Sequence, residues 1–145
     1  MSAEVIHYEH IFDEEAVPAI ESGGIFIIYE SKRTSATKAK LVKLAEELGL
    51  SREEIAMVVG MTGRNLQRYS SNRKLSQEQY TNMLLLTRLF IRGVDVFGSK
   101  EKFGRWLRKP VRSLGMQRPL ELLDSTIGYT VVEQTIGRIE HGVFA

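Results

Sequence analysis

The sequence predicts an all-α protein, in which a helix-turn-helix domain is followed by a small second helical domain. Three observations support this fold class. Capping residues precede segments whose apolar residues recur at spacings of three and four. An alanine and a glycine stand four residues apart between two of these segments, and glycine and proline separate the segments of the second half. We place the boundaries at 1–33 for an N-terminal arm, 34–93 for the helix-turn-helix domain and 94–145 for the second domain.

Residues 1–33 predict a partly irregular arm. Pro18 and the pair Gly23-Gly24 indicate a loop, and the segment GIFIIYE at 24–30 predicts a short strand or a buried segment. The acidic run from Asp13 to Ala16 predicts a solvated turn. The sequence assigns no function to this arm, which is expected to pack on the domain or on a second copy of the chain.

Each predicted helix of the middle domain begins at a residue that can cap a helix N-terminus. The candidate caps are Thr34, Ser35 or Thr37 for the first helix, Ser51 for the second, Thr62 for the third and Ser76 for the fourth. Glu54 and Gln79 stand three residues after their caps, as in a capping box. Gly49 is placed to end the first helix. The fourth helix, SQEQYTNMLLLTRLF, is expected to be followed by a domain boundary at Gly93 and Gly98.

The second and third predicted helices match the packing requirement of a helix-turn-helix. Two helices that cross steeply around a tight turn need a small residue where they touch and a turn glycine that reaches a positive φ. Ala56 and Gly60 are placed for these two roles. The apolar residues expected to face the core are Ile55, Val59, Met61, Leu66 and Tyr69. An ordinary αα-hairpin with a polar outer face is the alternative.

The polar residues of the third helix would then point outward and suit the major groove of DNA. Arginine can bond bidentately to guanine, and asparagine and glutamine can bond to adenine. The candidate DNA-binding residues are Thr62, Arg64, Asn65, Gln67 and Arg68, together with Arg73 and Lys74 as phosphate contacts. Residues 31–75 carry ten Lys and Arg against four Glu, whereas residues 1–30 carry seven acids and no Lys or Arg. A basic middle region favours a polyanionic partner.

A homodimer is expected, because helix-turn-helix proteins usually read two half-sites through a two-fold pair. The apolar face of the fourth helix and the GIFII segment are both candidates for the dimer interface. The sequence does not choose between them.

Several functional classes are disfavoured by composition. There is no cysteine for thiol chemistry or disulfides, and the three histidines are too scattered to indicate a metal site. No paired acid and base, metalloprotease motif or phosphate-binding loop is found, so we expect neither enzymatic activity nor a cofactor. No apolar run is long enough to span a membrane, and the acidic start lacks the basic region of a signal peptide. The expected location is the cytoplasm.

Spaced motifs recur in order through the second half of the chain. They are Val96-Phe97-Gly98, Trp106-Leu107 with Pro110, Leu114-Gly115, Arg118-Pro119-Leu120 with Leu122-Leu123, and IGRIEHGVFA at 136–145. This segment resembles the toxin-binding domain of the Xre/MbcA/ParS antitoxins, and the helix-turn-helix before it resembles the Xre part of the same family. The resemblance covers roughly residues 40–145 and leaves the first 33 residues outside it.

The resemblance implies an antitoxin of a type II toxin-antitoxin system. Such an antitoxin neutralises a RES-domain toxin that depletes NAD, covers the toxin's active site with its C-terminal segment, and represses its own operon by binding operator DNA. Larger complexes of toxin and antitoxin are then expected. The candidate toxin-binding residues are Arg138, Ile139, His141, Gly142, Val143, Phe144 and Ala145. Read from the residues alone, His141 and Gly142 end the last helix, and the Ala145 carboxylate suits a phosphate-binding arginine.

Two alternatives to this function stay open. The chain could be a helix-turn-helix transcriptional regulator, or a partitioning-type DNA-binding protein, without a toxin partner. It could also bind a toxin of another class through the same domain.

For the apolar residues of the motifs we expect a role in the domain core rather than direct contact with a partner. These residues are Trp106, Leu107, Leu122 and Leu123.

Overall fold

The computed structural model describes residues 4–22, 27, 30 and 36–142, and its regular secondary structure is helical. The α-helices whose bounds lie within the described residues are α1 (Ala16–Ser22), α2 (Lys38–Leu48), α3 (Arg52–Val58), α4 (Gly63–Arg68), α5 (Gln77–Phe97), α6 (Lys100–Leu107) and α7 (Thr126–Glu140), with 3-10 helices at Arg112–Leu114 and Pro119–Asp124. The all-α prediction is confirmed. Within the described ranges, no helix is both long and apolar enough to cross a membrane.

The described residues form two compact units. One contains Ile6–Arg88, and the other contains the residues from Leu89 onward together with Glu4 and Val5. The division falls inside α5, which supplies residues to both units.

The predicted helix starts are confirmed wherever the structure describes them. In each case a side-chain hydroxyl accepts a hydrogen bond from the backbone N–H three residues later. The cap and donor pairs are Thr37 with Lys40, Ser51 with Glu54, Thr62 with Asn65, and Ser76 with Gln79. The Glu54 and Gln79 side chains accept in return from their cap N–H groups at 2.8 and 2.9 Å, so both capping boxes form. Thr34 and Ser35, the other candidate caps of α2, lie outside the described residues.

The prediction of an irregular arm is wrong for Ala16–Ser22, which form α1. Pro18 lies in the first turn of this helix, where no intrahelical partner for its missing N–H is required. The segment 24–30 was expected to be a short strand or a buried segment. Its two described positions, Ile27 and Glu30, are buried and helical, so burial is confirmed there and the strand is wrong. The other residues of that segment lie outside the described ranges.

The N-terminal arm is part of the core of the helix-turn-helix unit. Its buried apolar residues are Ile6, Tyr8, Ile11, Phe12, Ala16, Ala19 and Ile20. Polar contacts to α2 hold the arm in place. The backbone N–H of His7 donates to Glu47 Oε1 at 2.7 Å, and Lys40 Nζ donates to the His10 carbonyl at 3.1 Å. The arm therefore packs on its own domain. This was one of the two expectations, the other being packing on a second copy of the chain.

Two aromatic residues near the start of the arm contact α1 and α5. The Tyr8 hydroxyl donates to Glu21 in α1 at 3.2 Å. Burial of the ring, and then the negative charge of Glu21, raise the pKa of Tyr8 to about 12. The Phe12 ring lies 6.3 Å from the Tyr80 ring at the start of α5. The arm thus bridges α1 and α5 within this unit.

Gly93, one of the two glycines expected to follow the fourth helix, instead lies inside it, because α5 continues to Phe97. Gly93 is buried against Phe103 of α6, and a Cβ at this position would overlap the phenyl ring. The missing side chain lets the ring sit directly on the α5 backbone, where it also packs edge-on against Phe90 at 4.9 Å between centroids. Gly98, with φ at +98°, is where the chain leaves the helix.

The second unit is completed by α7, which packs on the 3-10 helix Pro119–Asp124. Gly128, expected to separate segments, instead lies in the first turn of α7, where a Cβ would overlap the Leu122 carbonyl. The Tyr129 hydroxyl is buried and has no hydrogen-bond partner among the described residues. Its burial, and then the charge of Glu133, raise the pKa of Tyr129 well above the usual value.

The apolar face of α5 is already covered within the single chain. Its buried members are Tyr80, Met83, Leu84, Leu86, Leu89 and Phe90. None of these side chains is more than 2% exposed, so this face is not available as a dimer interface in the folded chain. The other candidate interface, GIFII, lies mostly outside the described residues.

We expect Gly93→Ala to lower the free energy of unfolding by about 1–3 kcal/mol, because the added methyl group overpacks the contact with Phe103. Chemical denaturation checks this. Gly137→Ala is the matched control, since Gly137 also lies inside a helix but a Cβ there meets only the flexible end of Arg92. The control should be neutral or slightly stabilising. Equal losses from both substitutions would contradict the close-packing interpretation.

Candidate nucleic-acid interface and C-terminal site

The turn between α3 and α4 has the predicted geometry. Ala56 is fully buried where the two helices approach, and Gly60 has φ at +89°. The backbone N–H of Met61 donates to the Ala56 carbonyl at 2.8 Å, which closes the turn. Leu66, 1% exposed, fixes the inner side of α4. Both residue roles inferred from the sequence are confirmed.

A second glycine that the pattern did not single out also permits this crossing. Gly63 is the first residue of α4 and is partly buried against Glu53 of α3. A Cβ on Gly63 would lie 3.1 Å from Glu53 Cγ and 3.5 Å from Glu53 Cα. The first of these distances is shorter than an ordinary van der Waals contact. In the sequence, the only indication of this role is that Gly63 directly follows the cap residue Thr62.

The outer side of α4 presents the polar residues that the sequence selected. All seven candidates are exposed: Thr62, Arg64, Asn65, Gln67, Arg68, Arg73 and Lys74. Residues 62–75 contain four Lys and Arg and no carboxylate. This segment therefore combines a positive charge with side-chain hydrogen-bond donors and acceptors. That combination suits DNA, which presents a negatively charged backbone and base edges that side chains can recognise by hydrogen bonds.

The start of α2 holds the loop that follows α4. The N–H groups of a first helical turn have no partner within the helix. Here the Lys38 and Ala39 N–H groups donate to the carbonyls of Arg73 and Ser71, each at 2.9 Å. An isolated antiparallel bridge joins Thr37 to Lys74. The backbone that carries Arg73 and Lys74 is therefore fixed on the same unit as α4.

Lys38 and Tyr69 support this surface in a way that the sequence did not reveal. The Lys38 Nζ donates to the Tyr69 carbonyl at 2.9 Å. The Arg73 guanidinium lies over the Tyr69 ring, 4.0 Å from its centroid. Tyr69 is partly buried, so it serves as a platform for Arg73 rather than only as core. Because Lys38 and Tyr69 are 31 residues apart, no local pattern could have joined them.

The candidate C-terminal site begins in the last turn of α7. As predicted, the helix ends at His141 and Gly142, and Gly142 has φ at +76°. Arg138, His141 and Gly142 are exposed, and Ile139 is partly buried. The other three candidates, Val143, Phe144 and Ala145, lie outside the described residues.

An ion pair connects the end of α7 to α5. Glu140 Oε1 lies 3.6 Å from an Arg92 nitrogen and 4.0 Å from His141 Nε2. Both Arg92 and Glu140 are about 40% exposed, so the pair contributes only a small stabilisation in water. Its structural consequence is to hold the last turn of α7 against the end of α5.

Two of the four apolar residues expected in the core from the C-terminal motifs have core positions. Leu107 and Leu123 are buried, whereas Trp106 and Leu122 are partly exposed. The Trp106 ring packs on Phe97 at 5.2 Å between centroids.

Two family models match the chain. Residues 31–88 match the antitoxin Xre-like helix-turn-helix domain. Residues 92–142 match the antitoxin Xre/MbcA/ParS C-terminal toxin-binding domain. The second match includes the described candidates at the end of α7.

Curated relatives carry related names. A protein of Photorhabdus laumondii subsp. laumondii named Antitoxin Xre is 33% identical over 92 residues, which is 62% of each chain. Another Antitoxin Xre, from Yersinia enterocolitica serotype O:8 / biotype 1B, is 32% identical over 98 residues, 66% of each chain. A Sphingobium sp. protein named Prs ADP-ribosylating antitoxin is 39% identical over 51 residues, 35% of this chain and 32% of the relative. The chain thus spans just under two thirds of the two Xre relatives.

We expect Gly60→Ala to reduce the free energy of unfolding by about 1–2 kcal/mol, because φ at this residue is positive and a Cβ is strained there. Gly60→Asn is the matched variant and should lose less, since asparagine tolerates the left-handed region better. Thermal or denaturant unfolding measures both. If the two variants are equally unstable, side-chain bulk rather than backbone conformation governs this turn.

Proposed function

Because the chain matches an Xre-like helix-turn-helix domain followed by an Xre/MbcA/ParS C-terminal toxin-binding domain, we propose that it is the antitoxin of a type II toxin-antitoxin system. In this proposal it neutralises a RES-domain toxin by covering the NAD-consuming active site, and it represses its own operon. The observation that carries the proposal is that both domains occur in this order in one chain. The antitoxin acts by binding and performs no catalysis itself.

Operator recognition is proposed for the exposed side of α4. The side chains that would reach base edges in the major groove are Arg64, Asn65, Gln67 and Arg68, all exposed. The capped start of α4 and the buried Leu66 orient this face outward. Because the helix has only six residues, few base pairs can be read by each copy. Two copies on adjacent half-sites would extend the sequence that is read, which supports a homodimer.

Arg73 and Lys74 are proposed to contact the phosphate backbone beside the groove. Their loop is held by the start of α2, and the Tyr69 ring lies beneath the Arg73 guanidinium. Holding the two cations in place reduces the ordering cost when DNA binds. Phosphate contacts of this kind set the register of the protein on the duplex and carry no sequence information.

Toxin neutralisation is proposed for the end of α7 and the residues after it. The Arg92–Glu140 pair links the C-terminal end of α7 to α5, and the positive φ of Gly142 redirects the chain. Arg138 and His141 are exposed beside this exit and would contact the toxin. Val143, Phe144 and Ala145 would enter the toxin's active site, where Val143 and Phe144 would act as apolar anchors.

The name of the Sphingobium relative favours a second candidate partner. That relative is called a Prs ADP-ribosylating antitoxin, so a toxin that transfers ADP-ribose is the other candidate for this chain. In this proposal either toxin would contact the same C-terminal surface of the antitoxin. They differ in the fate of the ADP-ribose moiety of NAD.

Co-purification with the product of the adjacent gene tests the proposal. The purified pair and the toxin alone should be assayed for loss of NAD and for transfer of labelled ADP-ribose to protein. Loss of NAD by the toxin alone without label transfer to protein, suppressed by this chain, supports an NAD-depleting RES toxin. Label transfer supports the second candidate. Operator binding without any toxin complex would instead support a plain regulator.

We expect Arg64→Ala or Arg68→Ala to weaken operator binding by about 1–3 kcal/mol and to relax specificity at one base position. Lys74→Ala is the contrasting variant and should weaken binding to all DNA sequences about equally, with a salt slope lower by about one. Titrations of operator and scrambled DNA at several salt concentrations separate these outcomes. A sequence-independent loss from both arginine variants would contradict base reading by α4.

Deleting residues 142–145 should release toxicity in cells that carry the adjacent toxin gene, because the segment proposed to enter the toxin's active site is removed. Operator binding should stay close to that of the full chain, since α4 is unaffected. Arg64→Ala provides the reciprocal control, with full neutralisation and weakened operator binding. Growth assays and DNA titrations measure the two activities. Full protection by the truncated chain would contradict the proposed insertion.

A further inference from the structure

Within the described residues, the exposed large apolar side chains all lie in the unit that contains Leu89 onward, here called the toxin-binding unit. Among the described residues, Val5 and Met116 are each 61% exposed and Ile127 is 79% exposed. All three belong to the unit that contains Leu89 onward. Single exposed apolar residues are common on soluble proteins, so exposure alone does not identify a contact surface. For Met116, however, the backbone adds a second observation.

Met116 is held in a conformation that favours glycine. Its φ is +65°, and it is the only non-glycine residue with positive φ in the described part of the chain. A glycine would adopt this conformation without the steric cost of a Cβ. Strained residues of this kind are concentrated at functional sites. The backbone strain at Met116 is offset if its exposed side chain contacts a partner.

Backbone hydrogen bonds hold Met116 on a closed loop. Val111 N donates to the Gln117 carbonyl at 3.0 Å, and Met116 N donates to the Val111 carbonyl at 2.9 Å. Gly115 N donates to the Arg112 carbonyl at 3.1 Å. The loop is therefore ordered before it meets a partner, and little backbone entropy is lost when it binds.

The segment that leads into this loop is strongly basic. Residues 100–118 contain seven Lys and Arg against one acid, Glu101. Glu101 pairs with Arg105, and Arg118 pairs with Glu121 just beyond the segment. Lys109 and Arg112 are exposed and lie on either side of Val111, where the loop starts. The apolar Met116 thus belongs to a loop flanked by cationic residues.

We propose that the loop 111–117 is a second contact with the toxin, separate from the end of α7. Met116 enters an apolar depression on the toxin, and Lys109 and Arg112 face carboxylates at its edge. A nucleic-acid contact explains the cations but gives no role to an exposed methionine in a strained conformation. This inference rests on the proposed function, because it takes the toxin as the partner.

Met116→Gly tests the proposal without harming the fold. The toxin co-purified with the wild-type chain is the probe. Its affinity for the variant should fall by at least about tenfold, as expected for an apolar anchor at an interface. The melting temperature of the variant should be unchanged or higher, since glycine removes the strain at this φ. Val5→Ala is the matched control, because Val5 is equally exposed in the same unit, and it should bind the toxin as the wild type does.

The cationic residues are tested by the double variant Lys109→Glu, Arg112→Glu. Its association with the toxin should be slower, and less accelerated at low salt, than that of the wild type. Lys43→Glu is the charge control, since Lys43 is exposed on the helix-turn-helix unit. Operator binding should be unchanged in the double variant.

Each contrary outcome has a distinct meaning. Wild-type affinity of Met116→Gly for the toxin would overturn the second contact and leave the proposed function intact. Equal losses from Met116→Gly and Val5→Ala would overturn it as well, since the effect would be general to exposed apolar surface. Loss of operator affinity in either loop variant would assign the loop to nucleic acid instead. Failure of the wild-type chain to bind the toxin would overturn the proposed function and this inference together.

Discussion

The close crossing of α3 and α4 is the constraint on which the candidate DNA surface depends. Two backbones can approach this closely only where side chains are small, and here Ala56 and Gly63 provide that space on the two helices. The positive φ of Gly60 turns the chain sharply enough for α4 to begin within a few residues. Leu66 then fixes the rotation of α4. The polar side of the helix faces outward as a consequence of these three local requirements.

The same principle organises the unit that contains Leu89 onward. Gly93 allows the Phe103 ring to rest on the α5 backbone, and Gly128 allows α7 to start against the preceding 3-10 helix. In both positions a glycine inside a helix weakens the intrinsic helix propensity, and tertiary packing compensates for that loss. The close contact between backbones positions α7, whose last turn carries the candidate toxin contacts.

The N-terminal arm illustrates how tertiary contacts override a weak local pattern. Pro18 and the paired glycines at 23–24 suggested loop, yet α1 forms because Ala16, Ala19 and Ile20 bury one face. The carbonyl of His10 accepts a hydrogen bond from α2, and the arm adds apolar residues to the helix-turn-helix core. The strongly acidic composition of the arm is compatible with this role because its acidic run from Asp13 to Glu15 stays exposed.

The features that depend on neighbours along the chain could be predicted from the sequence. These are the helix caps, the turn glycine, the polar outer face of α4 and the end of α7 at Gly142. Each depends on contacts a few residues apart, so spacing and residue type were sufficient. Only the tertiary structure decided that Gly93 continues a helix, that Lys38 supports Tyr69, and that the loop at Met116 keeps a strained backbone. These features depend on residues brought together by packing, and no local period in the sequence records such an encounter.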